Sequence, residues 1–131
     1  MKRHPGKAEA DAWAAGAIYP ERKMAEHLQV LTTVGSEEEA REIALLLVDR
    51  RLAACVQVVG PIVSRYRWQG AVEEAEEWQC LAKTEAARYP EIEAAIREVH
   101  SYEEPEIVAT PIVAGSTAYL RWVSAEVRRN H

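Results

Sequence analysis

The chain has 131 residues, 48% hydrophobic and 28% charged, which excludes the low-apolar composition of a disordered segment. That length suffices for one core without staples, and a formal net charge of -5 argues against an extended phosphate-binding footprint, which draws on clustered Lys and Arg. No apolar run approaches the roughly 18 residues needed to cross a bilayer, so neither nucleic acid nor a membrane is expected as a partner.

Residues 1–24 carry five Lys or Arg against three Asp or Glu, a charge of +2, which leaves -7 on the remainder. The stretch 8–19 is interrupted by Glu9, Asp11 and Gly16 and lacks the continuous apolar region of a secretory signal, so a cytoplasmic location is expected. Residues 1–25 read as an N-terminal extension: a short helix, a mobile tail, or sequence upstream of a start at Met24. Residues 26–131 read as the domain. Cys55 and Cys80 show no CxxC or Cys/His spacing, and two buried, reduced thiols are the expectation.

Residues 28–34 are β-branched and apolar with weak alternation, a strand closed by a turn at Gly35. Ser36 stands three residues before Glu39, a capping-box pattern, and Ala40, Ile43, Ala44, Leu47 and Val48 form the apolar stripe of a helix running to about Leu52. Residues 53–66 form a second strand in which Gly60 and Pro61 predict a bulge or bend, since proline cannot donate to a central ladder. Gln69-Gly70 makes a hairpin tip, and 72–84 returns as a strand longer than most. Pro90 opens a second helix with Ile92, Ala95, Ile96 and Val99 on one face, closing near His100 and Ser101. Residues 107–114 are a strand containing Pro111, and Ser116 caps a last helix ending at Arg128 and Arg129.

The order β-α-β-β-α-β followed by α is the split βαβ arrangement of a ferredoxin-like α+β sandwich, with an extra C-terminal helix and a long hairpin between the second and third strands. Helices are expected on one face of a mostly antiparallel sheet. The apolar and aromatic residues of the other face point to burial between subunits.

Four stretches, Arg51-Leu-Ala-Ala-Cys-Val56, Tyr66-Arg-Trp-Gln-Gly70, Lys83-Thr84 and His100-Ser-Tyr-Glu-Glu-Pro-Glu-Ile107, resemble the CutA divalent-cation tolerance family, and Tyr119-Leu-Arg-Trp122 extends the match. The resemblance covers about residues 27 to 127. It implies a ferredoxin-like subunit in a compact homotrimer whose long hairpins wrap neighbouring subunits, and a link to copper and other divalent cations. Two departures stand out. The family's usual His-Pro-Tyr is His100-Ser101-Tyr102, a turn less rigid than proline would make it, and a cysteine carried by some members is replaced by Thr32, a poor soft-metal ligand.

His100 is the metal candidate, its imidazole suiting weakly bound copper(II) or another divalent cation, with Tyr102, Glu103, Glu104 and Glu106 nearby. The plain alternative is a histidine favoured by a helix C-terminus. Strand parity puts Glu73, Glu77 and Lys83 on one face, where they join Tyr66, Trp68, Tyr102 and Glu106 in an inter-subunit ligand cleft; the alternative for the acids is a solvated edge that discourages pairing, and for the aromatics a packing role. No nucleophile-plus-base pair, Gly-rich phosphate loop or HExxH motif is present, and no enzymatic activity is expected. The sequence therefore points to a trimeric cation tolerance protein with weak divalent-metal binding, or to a small-molecule binder resembling the PII-type signalling trimers in fold.

Overall fold

Over residues 25–128, which the computed structural model describes, the chain runs β1 (His27–Val34), α1 (Glu37–Asp49), β2 (Cys55–Trp68), β3 (Ala71–Glu85), a 3-10 turn (Ala86–Arg88), α2 (Tyr89–Val99), β4 (Ile107–Pro111) and α3 (Thr117–Val127). Apart from Ala25, the N-terminal extension read over residues 1–25 lies outside the described residues, as does Arg129. The strands form one sheet in the order β2-β3-β1-β4, antiparallel at every pairing. Pro111 closes β4 at the sheet edge, where its missing N–H costs no ladder bond, and the strand stops there instead of continuing to residue 114.

Ser36 caps α1 by accepting from the Glu39 N–H at 3.1 Å. The helix ends at Asp49, short of the Leu52 expected, because Arg51 turns into the left-handed region (φ 57°) and brings Leu52 and Ala53 back into the core. Both of their N–H groups close on the Leu47 carbonyl. The core lies between the sheet and helices α1 and α2, centred on Val30, Val34, Ile43, Leu47, Ile92 and Ile96. Thr32 faces this core and is 1% exposed, with its hydroxyl unpaired.

The expectation that helices cover one face only is corrected by α3. His27 Nε2 lies 2.8 Å from Ser124 Oγ, and the Tyr119 phenol lies near the Cys55 thiol. By strand register both His27 and Cys55 point away from the core against which their neighbours Leu28 and Val56 pack. Helix α3 therefore covers one end of the second face, burying Val123 and Val127. It closes at Val127, so Arg128 follows the helix instead of completing its last turn.

The hairpin tip at Gln69 and Gly70 has positive φ at both residues (49° and 82°), the geometry of the tight turns whose twist matches paired strands. Strand β1 pairs with β3 only from Trp78 onward, so residues 62–68 and 71–77 pair with each other and with no third strand. Val63 (72% exposed) and Val72 project from this ribbon into solvent.

Candidate ligand cleft

The cleft exists because β2 changes face partway along. Val59 is opposite Gln79 and Ile62 opposite Glu77, so Gly60 and Pro61 together oppose the single residue Trp78, which is the bulge anticipated from their sequence. Before the bulge Cys55, Gln57 and Val59 share a face with Lys83, Leu81 and Gln79. After it the even-numbered Ser64, Tyr66 and Trp68 take over that same face, opposite Ala75, Glu73 and Ala71. Gly60 permits the change: a Cβ there would meet Trp78 Cδ1 at 2.4 Å.

The resulting cleft of about 680 Å³ is walled by Tyr66 and Trp68 on the ribbon and by Tyr102 on the loop after α2, with Glu73, Glu77 and Glu106 among its acids. Glu77 is only 7% exposed and accepts from the Tyr102 hydroxyl at 2.8 Å. Glu106 Oε1 accepts from the Thr33 hydroxyl at 3.2 Å, and Tyr66 stands directly opposite Glu73 on the ribbon. Partial burial, reinforced by the Glu77 hydrogen bond and charge, pushes the Tyr102 phenol well above its ordinary range; desolvation and the nearby Glu73 and Glu77 raise Tyr66 as well.

Of the residues expected here, Tyr66, Trp68, Glu73, Glu77, Tyr102 and Glu106 line the cleft in a single chain. Lys83 does not. It keeps the predicted face but lies six residues beyond Glu77, about 20 Å along a strand, and donates to Gln57 Oε1 at 3.1 Å. Thr33, Ser64, Glu103 and Glu104 also line the cleft. Thr33 and Ser64 could have been added by extending the same parity argument across β1 and past the bulge.

His100 sits behind the cleft with its side chain fully buried. Its Nε2 lies 2.9 Å from the Thr33 carbonyl and its Nδ1 3.0 Å from the Tyr102 N–H. An N–H can only donate and a carbonyl only accept, so the network assigns a neutral ring carrying its proton on Nε2 and offering its Nδ1 lone pair to Tyr102. The ring thus has no free lone pair for a metal. Among the described residues no group of three or more His, Cys, Asp or Glu side chains is arranged to hold a metal ion. The donor set does not fit a resident metal at His100.

The loop is fixed from below by Glu39. Its carboxylate accepts from both the N–H and the hydroxyl of Ser101, each at 2.9 Å, instead of returning to the Ser36 N–H as a full capping box would. Serine in place of proline therefore leaves the turn tied by two hydrogen bonds, not looser as expected from the lost ring. The capping-box signal identified Glu39 for another reason and concealed this contact.

A four-stranded antiparallel sheet in the order β2-β3-β1-β4, with α1 and α2 on one face, is a ferredoxin-like α+β domain. The family model described as CutA1 divalent ion tolerance protein matches residues 28–126, and the chain belongs to that family. The Divalent-cation tolerance protein CutA of Thermus thermophilus is 49% identical over 94 residues, covering 72% of this chain and 91% of that protein. Protein CutA of Homo sapiens is 41% identical over 91 residues, 70% of this chain and 51% of its own length, so the chain spans about half of that relative. The crystal structure of CutA from Xylella fastidiosa matches with a TM-score of 0.77 at 34% identity, covering 79% of this chain and 100% of that one. Among the described residues no helix is long and apolar enough to cross a membrane.

Proposed function

We propose that the chain is a non-enzymatic, homotrimeric cation tolerance protein of the cytoplasm whose working site is the cleft between the β2-β3 ribbon and the loop after α2, completed by a neighbouring subunit. One observation carries the reading: residues 62–68 and 71–77 form a two-stranded ribbon with no third strand, and Val63 and Val72, on the ribbon face opposite Tyr66 and Trp68, are substantially exposed. A lone two-stranded ribbon is at best marginally stable in water, so packing against a second copy supplies what the chain itself lacks. The free thiols of Cys55 and Cys80 suit a reducing compartment. Light scattering coupled to size exclusion of the full chain should give three times the 14.7 kDa chain mass, and a single-chain mass at dilute concentration refutes the assembly. Thermal stabilisation by a panel of small metabolites tests the cleft, and its aromatic walls favour this small-molecule role, which the PII-type trimers exemplify in fold.

Direct, weak coordination of copper(II) or another divalent cation at His100 is the competing account of tolerance. It requires the ring to surrender the Tyr102 N–H before Nδ1 can coordinate. Calorimetric titration of copper(II) into the wild type and His100→Ala separates the two, since equal affinity removes His100 from any metal site.

A further inference from the structure

The cleft's walls and charges define what it can hold. Its volume of about 680 Å³ lies within the size range of small-molecule sites. Three aromatic side chains reach it while staying accessible: Tyr66 at 39%, Trp68 at 42% and Tyr102 at 39%. Glu73, Glu77, Glu103, Glu104 and Glu106 line it, against one cation, Arg65. That guanidinium is 2.6 Å from Glu74, a residue outside the lining, so its charge is already matched. An anionic ligand would meet net repulsion.

Tyr102 and Thr33 donate a hydroxyl to two of these acids, Glu77 and Glu106, and Tyr66 stands directly opposite a third, Glu73, on the ribbon. A carboxylate has about four lone-pair sites, so each retains acceptor capacity for a further donor. These acids do not converge on one point, and hard divalent ions need six or more oxygens at short distance. A cation whose charge is spread over N–H or N–CH groups has no such requirement. It can meet separated carboxylates while its body lies on aromatic faces, which attract cations electrostatically.

We propose that the cleft binds an organic cation, an ammonium group carried on an aromatic or alkyl body. This inference rests on the reading of the cleft as the working site and adds the chemical class of its ligand. Phenethylamine, 2-phenylethanol and 3-phenylpropionate present similar bodies with a cation, a neutral group and an anion. Titrated calorimetrically into the full-length wild-type assembly, the amine should bind at least about tenfold more tightly than the other two, the difference that one charge-assisted hydrogen bond can supply. Glu73→Gln, at an exposed position, should weaken the amine about tenfold, and Tyr66→Leu should weaken it while light scattering shows the assembly unchanged. If the alcohol or the acid binds as tightly as the amine and Tyr66→Leu weakens it, the charge class is wrong while the cleft stands. Amine binding indifferent to both substitutions, or no binding by any of the three, overturns the proposal; the metabolite panel then decides separately whether the cleft is a ligand site at all.

Discussion

The Tyr102 hydroxyl donates to Glu77 Oε2 over 2.8 Å, tying the loop after α2 to the point where β3 leaves the sheet and becomes the ribbon. Glu77 is nearly buried, so this bond offsets the desolvation of a carboxylate. The Tyr102 N–H is held in turn by His100 Nδ1, and the two rings lie 4.9 Å apart between centroids. The cleft wall is thus positioned by a connected set of contacts.

Tyr102→Phe should destabilise the protein by roughly 1–3 kcal/mol, the usual consequence of leaving a buried polar group without its partner. Thermal unfolding at fixed protein concentration measures it. Glu77→Gln in the Tyr102→Phe background should restore part of the loss, because a neutral amide is less costly to leave there than a charge. Full wild-type stability in Tyr102→Phe would mean that water serves Glu77 equally well.

Alkaline pH should expose the buried thiol. Burial, with a smaller contribution from Glu39, pushes the Cys80 thiol up to about 11 from 9.0, and its Sγ donates to the Ala40 carbonyl at 3.3 Å. A group that holds its proton more tightly when folded stabilises the fold fully below its unfolded pKa, and that contribution is lost as pH rises toward the folded value. Melting temperature should therefore fall between about pH 9 and 11, and Cys80→Ala should flatten that part of the profile. The raised Tyr102 phenol adds a further loss in the same direction from about pH 10 upward. At pH 8 a thiol reagent should modify at most one cysteine per native chain, Cys55, since a buried neutral thiol is a poor nucleophile.

Thr32→Val should raise stability by about 1 kcal/mol, because the substitution keeps the branched shape and removes a buried hydroxyl that has no partner. Thr32 faces the core opposite Cys80. A lower melting temperature in Thr32→Val would show that the hydroxyl is satisfied in solution.

Gly60→Ala should destabilise by about 1–3 kcal/mol, the range for overpacking, since the added Cβ would collide with the Trp78 ring. The effect should reach the cleft, because the bulge determines which face Tyr66 and Trp68 occupy. Spectroscopic change at Trp78 with unchanged stability would show that the ring moves aside freely.

Most elements were legible in the sequence because each carries a local signal: Ser36 and Ser116 as caps, Gly60-Pro61 as the bulge, Gln69-Gly70 as the tip. The cleft was legible where period-two parity sufficed, as for Glu73 and Glu77 on the uninterrupted β3. Parity assigns a face but not a position along it, so it groups Lys83 with Glu73 and Glu77 although they stand far down the strand. The state of His100 was not legible, since its partner at Nε2 is a carbonyl 67 residues away and a backbone oxygen leaves no mark in sequence. The placement of α3 was hidden similarly, because an apolar stripe records that a helix packs without recording which face of the sheet it covers.

Glu39 should control the cleft from outside it. Its carboxylate holds the Ser101 N–H and hydroxyl, and its Oε2 lies 3.9 Å from His100 Nδ1, beside the ring that holds Tyr102. Glu39→Ala deletes both Ser101 bonds while leaving the Ser36 cap, which uses the backbone N–H of residue 39 and not its side chain. Helix α1 should therefore persist while the loop at 100–106 loosens, and the Tyr102 amide should exchange its hydrogen faster than the amides of α1. Because Tyr102 reaches Glu77 only from this loop, Glu39→Ala and Tyr102→Phe should be non-additive in a double-mutant cycle, with a coupling of about 0.5–3 kcal/mol. Additive effects and unchanged exchange at Tyr102 would show that the hydroxyl bond to Glu77 holds the loop alone, leaving Glu39 a local role at Ser101.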